Sequence, residues 1–376
     1  MDPFVPAGEI IDAIDELCRA FREGAIDAST LAKERFHQGL AWPQAPLGLG
    51  GYGARLEVAD AIERRFLDEG CPRWKSGPPV STELVGPLIV EFGTQSQKQE
   101  WLYPMFVSNQ RWCQLFSEYS AGSDLGAIRC TARRDGERWV LNGAKCWSSW
   151  SSEAEFGMLL ADAVIDDVSV GLTCFLVDMS DPGVQVRPIR QITGAYGFGE
   201  VSFSDVYVQD SHVLGRTGGG GNIAVRALLL ERKALQQRAG EASRSVMRDV
   251  EAADVALGAV ARDSVVRIWI EDRVSTMPGH TRGVVAAMHS LRGQEIYLLG
   301  RLRQMNASQA AADMRVHLAG AQGMLHVGDY GLDEEFYDVS SDPATALLNS
   351  RAESIAGGTR EILKNLIAER VLGLPR

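Results

Sequence analysis

The chain has 376 residues, of which 45% are hydrophobic and 23% are charged, so it can bury a large core in two or three layers or domains. Its net charge of −11 argues against nucleic acid as a partner, because binding to phosphates needs a basic surface. It has no apolar run long enough for a membrane helix and no signal peptide at its start, so we expect a soluble, cytoplasmic protein.

The cysteines and histidines are dispersed along the chain. The six cysteines form no Cys-x-x-Cys pair, which predicts reduced thiols. The six histidines form no His-Glu-x-x-His cluster, so we expect no metal site.

Residues 1–112 carry the pattern of amphipathic helices. The stretches GEIIDAIDELCRAF and RLEVADAIERRFLDEG repeat apolar side chains at helical spacing, and the loop AWPQAPLGLGGYG lies between them. We predict an N-terminal helical domain here.

Residues 113–213 change to the alternation that is typical of β-strands. ERWVLNGAKCW alternates around Asn142-Gly143, a dipeptide that predicts a hairpin turn. The segments SVGLTCFLVDM, GVQVRPI and GEVSFSDVYVQD follow as further strands. The pattern predicts a small antiparallel β domain rather than βαβ units.

Residues 214–376 begin with RTGGGGN, which we interpret as a flexible hinge, and continue as long helices. In the final stretch, ESIAGGTREILKNLIAERVLGLPR, a Gly-Gly turn opens a helix that Thr359 can cap. The predicted fold class is therefore α+β, with an N-terminal helical domain, a middle antiparallel β domain and a C-terminal helical bundle.

Five motifs occur in a fixed order. FSEYSAGSD is followed by NGAKCWSS, FLVDMSDPGVQVRPIRQITG and EVSFSDVYV, and the chain closes with GGTREILKNLIAERVLGLP. Together they resemble the acyl-CoA dehydrogenase family over nearly the whole chain. The resemblance implies an FAD enzyme that oxidises an acyl-CoA substrate to the 2,3-enoyl-CoA. In this reaction a carboxylate removes the α-proton while the β-hydrogen leaves as hydride to the flavin.

The resemblance also implies roles for individual residues. Trp147 matches a tryptophan packed against the flavin ring, Ser123 matches the serine at the pantetheine arm, and Arg232 falls near the substrate. A flavin suits a site with an aromatic wall and few polar donors. Taken singly, the serines and Trp147 would be ordinary strand, turn and core residues. The residues implied to hold the cofactor are Leu115, Ser117, Trp147, Ser149, Thr359 and Glu361.

The catalytic base is missing from its usual place. Many family members carry it in a C-terminal Tyr-Glu-Gly, but this sequence reads Ala356-Gly357-Gly358. Members similar to isovaleryl-CoA dehydrogenase carry it on the first helix after the β domain, where this sequence has Glu231. We therefore predict Glu231 as the base and the N–H of Gly357 as a donor to the thioester oxygen. The alternative for Glu231 is a local ion pair on a solvated helix face.

The family's motifs for the FAD pyrophosphate are not retained. No Arg-x-x-Phe-Gly follows Glu231, and His317 stands at the position of the expected glutamine. Two explanations remain open. In the first, a second acyl-CoA dehydrogenase chain supplies these groups in an α2β2 heterotetramer, as in the heteromeric enzymes of steroid side-chain breakdown. In the second, a homotetramer uses Arg262, Arg267 or Arg273, whose guanidinium geometry suits phosphate.

The predicted function is dehydrogenation of a bulky or branched acyl-CoA, with a steroid side chain as a candidate and an electron-transfer flavoprotein as acceptor. One alternative is a non-catalytic partner subunit. A second is a flavin-dependent oxygenase on the same fold, which would lack the α-proton base. The acidic chain disfavours a DNA-associated member of the fold.

Overall fold

The computed structural model of the protein describes residues 8–54, 56–72, 80–237, 241–253, 257–276, 293–325 and 342–375. Its contacts separate two compact units, one of residues 1–187 with 198–227 and one of residues 188–197 with 228–376. The predicted order of helices, then strands, then helices is confirmed. The three-domain division, with boundaries after residues 112 and 213, stays a prediction.

The N-terminal helices pack around a core to which α1 and α3 contribute Ile14 and Phe66, as the amphipathic patterns predict. The last of them, α5, begins at a capping box formed by Thr94 and Gln97. The Gln97 amide also donates to the carbonyl oxygen of Val213, which ties this helix to the sheet. The helices are α1 (Gly8–Arg22), α2 (Ala28–His37), α3 (Leu56–Asp68), α4 (Gly86–Phe92) and α5 (Gln95–Val107), with a π-helical segment at Val80–Val85.

The middle region forms one eight-stranded sheet with the order β6-β7-β3-β2-β4-β5-β8, and β1 pairs with β4. Most strand pairs with a described register are antiparallel, as predicted, but β1 and β2 both run parallel to β4. The strands are β1 (Trp112–Leu115), β2 (Thr131–Asp135), β3 (Arg138–Ser149), β4 (Phe156–Ile165), β5 (Val168–Asp178), β6 (Val184–Ile189), β7 (Phe198–Gln209) and β8 (Val213–Leu214).

The predicted hairpin at Asn142-Gly143 is wrong. The chain turns earlier, between Asp135 and Arg138, and Asn142-Gly143 lies inside β3 at an irregularity in its register with β7. Gly143 has φ 143°, and a Cβ on it would stand 2.7 Å from the Cα of Cys130. Glycine is therefore required here because two backbones approach each other closely, and not because the chain turns.

This close approach leads to a prediction about stability. Replacing Gly143 with alanine should lower the free energy of unfolding by about 2 kcal/mol, because the new Cβ forces apart two backbones that have little freedom to move. Thermal unfolding would measure the change. Gly221→Ala is the control, since Gly221 lies in a helix and a Cβ on it would meet nothing within 4 Å. Equal unfolding temperatures for the two variants would contradict the prediction.

The interpretation of GGGG as a flexible hinge is also wrong. Gly220 begins helix α6, and a Cβ on it would lie 2.8 Å from the carbonyl group of Leu172 on β5. The N–H of Gly218 donates to Thr173 Oγ1 at 2.8 Å. The glycines therefore let the start of α6 pack directly on a strand.

The helices that follow the sheet form two apolar clusters in the second unit. Val246, Ile268 and Ala311 belong to the first cluster, and Leu298, Met305 and Leu363 form the second. None of the described helices is long and apolar enough to cross a membrane. The helices are α6 (Gly220–Gln237), α7 (Glu241–Ala253), α8 (Ala259–Thr276), α9 (Gly293–Ala319), α10 (Pro343–Asn349) and α11 (Arg360–Arg370).

Candidate active site

The end of β3 carries two tryptophans in an uncommon backbone conformation. Trp147 has φ 58° and Trp150 has φ 62°, and bulky residues rarely adopt this left-handed region. The register with β7 is irregular between Lys145 and Ser148. The Trp147 side chain is 56% exposed, and its ring meets that of Phe198 edge to face at 6.0 Å. The strand therefore presents an indole face to the outside.

Three further predicted cofactor residues lie on β1 and β3 or directly after β1. The N–H of Cys146 donates to the carbonyl oxygen of Ser117 at 2.9 Å, which brings the chain after β1 next to β3. Ser149 is half-buried and pairs with β7. The side chain of Leu115 is fully buried, so only its backbone could contact a ligand.

Ser123, the predicted contact to the pantetheine arm, is exposed in the loop after β1. This loop begins with a tight turn, in which Glu118 N–H donates to Ala121 O at 2.9 Å and Ala121 N–H donates to Glu118 O at 3.1 Å. The turn fixes the start of the segment that carries Ser123.

The residues around Trp147 fit a flavin ring. Ser148 and Ser151 are each 2% exposed, and their hydroxyl groups have no hydrogen-bond partner among the described residues. Buried hydroxyl groups are normally paired. An exposed indole with unfilled hydroxyl groups near it is suited to a flat, largely apolar ring that carries a few polar atoms.

A buried ion pair lies beneath this corner of the sheet. The Lys145 Nζ, fully buried, donates to Glu118 Oε1 at 2.7 Å and to Phe116 O at 3.1 Å. Glu118 also accepts the N–H of Arg129 at 2.8 Å and that of Cys130 at 3.0 Å. Burial alone would raise the pKa of Glu118, but these bonds, led by that from Lys145, hold it below its usual value. The pair thus joins β3 to the segment that carries Ser117.

This pair was not predicted from the sequence, although both residues lie in motifs that carry the family resemblance. Strand parity could have revealed Lys145, because it has the same parity along β3 as the buried Trp139 and Leu141. A lysine at such a position predicts a buried partner.

In the second unit, Glu231 is half-buried on α6. The side chain of Arg232 lies outside the described residues. The turn before α11 contains Gly357, which is buried with φ 69°, and Gly358 with φ 102°. Both values favour glycine, so this turn could not carry a side chain without strain.

Thr359 caps α11 as predicted, and its hydroxyl oxygen accepts the N–H of Ile362 at 3.2 Å. Glu361 follows in the first turn of the helix and is exposed. Among the described residues, no group of three or more histidines, cysteines or carboxylates could hold a metal ion.

A buried arginine that sequence reasoning did not single out lies at the same turn. Arg301 on α9 is 2% exposed, and its Nη2 donates to Glu353 O at 2.8 Å and to Ala356 O at 3.3 Å. The charges of Glu353 and Glu231 act on its guanidinium group. Leu298 lies three residues before Arg301 on the same helix face, and it is buried together with its neighbours on that face. An arginine at this apolar spacing was the sequence feature that indicated a buried cation.

Comparison with known families gives two matches along the chain. Residues 9–108 match the N-terminal domain of acyl-CoA dehydrogenases, and residues 113–206 match their middle domain. The acyl-CoA dehydrogenase IpdE1 of Mycobacterium tuberculosis is 34% identical over 352 residues, which cover 90% of this chain and 84% of that protein.

Solved structures give the same fold over the full length. The Tcur3481-Tcur3483 steroid ACAD matches with a TM-score of 0.74 and 20% identity, covering 100% of both chains. The ChsE4-ChsE5 complex from Mycobacterium tuberculosis matches with a TM-score of 0.71 and 20% identity, covering 99% of both chains. The family matches and the identity to IpdE1 together show that the chain belongs to the acyl-CoA dehydrogenase family of oxidoreductases, which act on acyl-CoA.

Proposed function

We propose that the protein catalyses the FAD-dependent α,β-dehydrogenation of an acyl-CoA thioester to the 2,3-enoyl-CoA, with Glu231 as the base. The observation that carries this proposal is a half-buried carboxylate on α6 whose charge acts on the buried Arg301 beside the Gly357 turn. The turn itself has no acid at residues 356–358, where many family members carry one. Glu231 is therefore the carboxylate best suited to this role.

Two groups of the chain act on the substrate in the proposed reaction. Glu231 accepts the α-proton, and a positioned carboxylate of this kind contributes about 10²–10⁴-fold to the rate. The N–H of Gly357 donates to the thioester oxygen, which stabilises the negative charge that develops there as the proton leaves. Bound FAD supplies the acceptor for the hydride from the β-carbon.

The residues of the first unit hold the cofactor and the thioester in this proposal. Trp147 provides the wall for the flavin ring, and Ser117 and Ser149 provide polar contacts through their side chains or backbone. Leu115 contributes through its backbone alone, because its side chain is buried. Ser123 contacts the pantetheine arm. Further roles in the second unit fall to Thr359 and Glu361 at the cofactor and to Arg232 at the substrate.

A partner chain completes the cofactor site. Helix α8 exposes the apolar side chains of Val266, Trp269, Ile270 and Val274, which recur on one helical face and suit a protein interface. Two of the arginines that a homotetramer would use are already engaged on that helix: Arg267 pairs with Asp263 at 2.7 Å, and Arg273 lies over the Trp269 ring. We therefore favour a heterotetramer with a second acyl-CoA dehydrogenase chain.

The substrate in this proposal is a bulky acyl-CoA of the steroid side-chain class, and an electron-transfer flavoprotein accepts the electrons. Support comes from the similar structures of a steroid ACAD and of the ChsE4-ChsE5 complex. The test of the substrate class is anaerobic flavin bleaching by a steroid side-chain acyl-CoA and by butyryl-CoA. Faster bleaching by butyryl-CoA would contradict the bulky substrate.

The flavin content of the chain tests the shared site. The chain purified alone should contain far less than one FAD, because the pyrophosphate contacts come from the partner. Co-expression with the neighbouring acyl-CoA dehydrogenase gene product should restore the flavin absorbance. A full complement of FAD in the chain alone would overturn the heterotetramer and favour a homotetramer that uses Arg262, Arg267 or Arg273.

A further inference from the structure

Arg301 is a cation that is almost completely removed from water. It is 2% exposed, and its Nε has no hydrogen-bond partner among the described residues. A charge in such a position is costly unless other groups compensate it. The neighbours of Arg301 therefore indicate what the guanidinium group does.

Its hydrogen bonds converge on one turn. Nη2 donates to the carbonyl oxygens of Glu353 at 2.8 Å and Ala356 at 3.3 Å, and Nη1 donates to Gln304 Oε1 at 3.3 Å. Glu353 and Ala356 lie in the segment that leads into Gly357. One planar group thus joins two points of this turn to helix α9, which fixes the direction of the peptide groups between them.

The helix that carries Arg301 is itself held in place. Leu298 and Met305 lie three residues before and four residues after Arg301, on the same helix face, and both are buried against Leu363 of α11. Arg301 therefore acts from a rigid support on the turn that precedes α11.

The charge of Arg301 has two described partners. The carboxylates of Glu353, in the turn, and Glu231, on α6, are the charged groups that act on it. Burial lowers the pKa of the guanidinium group, and these two carboxylates raise it part of the way back. The guanidinium group is therefore held by the carbonyl oxygens of the turn and by the charges of two carboxylates.

We propose that Arg301 is a positioning residue for the dehydrogenation: its two hydrogen bonds hold the turn that presents the Gly357 N–H to the thioester oxygen. The inference rests on the proposed function for its catalytic meaning. It accounts for how a turn that carries no side chain at residues 357 and 358 keeps a fixed direction, because a buried side chain on another helix holds it.

The experiment compares Arg301→Gln, Arg301→Lys and wild type, with Arg303→Gln as the matched control. Arg303 lies on the same helix but pairs with Glu271 at 3.0 Å on the surface. The first measurement is hydrogen exchange of the amides of residues 354–359 in the full chain. The second is anaerobic flavin reduction of the FAD-loaded enzyme over a range of acyl-CoA concentrations, which separates the maximal rate from the apparent Kd of the substrate.

We expect Arg301→Gln to speed exchange in the turn about tenfold and to lower the maximal rate of flavin reduction about tenfold, with little change in the apparent Kd of the substrate. Arg301→Lys should also speed exchange, because it loses the fork geometry. Arg303→Gln should change neither. If Arg301→Gln fails to fold, the lysine variant decides alone.

Unchanged exchange in the turn, or a maximal rate that Arg301→Gln leaves in place, would overturn the inference. In the lysine variant, exchange as slow as in wild type would do so. Hydrogen exchange requires no turnover, so full activity of Glu231→Gln would refute the proposed function while the effect of Arg301 on the turn stays measurable on its own.

Discussion

Glu231→Gln is expected to lower the rate of flavin reduction about a thousandfold, within the range for loss of a positioned general base. The amide has nearly the same shape as the carboxylate, but it cannot accept the α-proton. The variant should keep its flavin, because Glu231 is not among the residues proposed to hold the cofactor. Anaerobic stopped-flow reduction by an acyl-CoA substrate measures the rate, and the flavin absorbance before mixing measures occupancy.

A surface variant separates the loss of the base from a general effect of removing a carboxylate. Glu251→Gln makes the same chemical change on the exposed face of α7 and should reduce flavin at the wild-type rate. If Glu231→Gln also retained that rate, the base would have to be another group. The interpretation as a non-catalytic partner subunit would gain support if wild type itself, loaded with FAD, failed to be reduced by any acyl-CoA.

The rate of reoxidation separates a dehydrogenase from an oxygenase on the same fold. A dehydrogenase that passes electrons to a protein acceptor should hold its reduced flavin against oxygen, since a bound thioester would cover the ring and exclude water and small oxidants. Rapid reoxidation by oxygen in the presence of the bound product would favour the oxygenase. The presence of Glu231 also favours the dehydrogenase, because an oxygenase has no need of an α-proton base.

The regular elements were predictable from the sequence because their signals are local. The helical spacing of α1 and α3 and the alternation along β7 each reflect one buried face, whereas β5 contains a continuous buried run. The errors occur where contacts distant in sequence override a local signal. Asn142-Gly143 has the residue types of a hairpin turn, yet Gly143 lies inside a strand, where the backbone of Cys130 leaves no room for a Cβ.

The candidate site was predictable only in part, and for the same reason. Motifs identified Trp147 and its neighbours, and the loss of the usual acid led to Glu231. Two buried cations near the candidate site, Lys145 and Arg301, were missed, because their partners lie 27 and 52 residues away in the chain. Only the folded chain brings such groups together. The burial of each position was nevertheless indicated, because Lys145 and Arg301 lie at the spacing of the buried apolar residues on their strand and helix.

Lys145→Met is expected to have the largest effect on stability. It leaves Glu118 buried without its cation and Phe116 O without its donor, and breaking a buried pair in this way costs about 3–5 kcal/mol. For a protein of this size we expect the unfolding temperature to fall by about 4–6 °C, with loss of flavin from the corner that the pair supports. Calorimetry and the flavin content after dialysis measure the two effects.

The double variant Lys145→Met/Glu118→Gln tests whether the uncompensated charge is the cause. Its neutral amide oxygen can still accept the N–H of Arg129 or Cys130, so the double variant should be more stable than Lys145→Met alone. Lys33→Met, on the exposed face of α2, is the control for loss of a lysine and should unfold at the wild-type temperature. A double variant less stable than the single one would mean that packing, rather than charge, determines the loss.

The pH dependence gives a further test of the same cause. The pKa of Glu118 lies below its usual value in the folded protein, so its contribution to stability is present at neutral pH and is lost as the pH falls through the folded value. Without Lys145, burial should raise that pKa, and the carboxyl group is then least costly when it is protonated. The difference in unfolding temperature between wild type and Lys145→Met should therefore shrink as the pH is lowered. A constant difference across pH would show that the charge of Glu118 is not what Lys145 compensates.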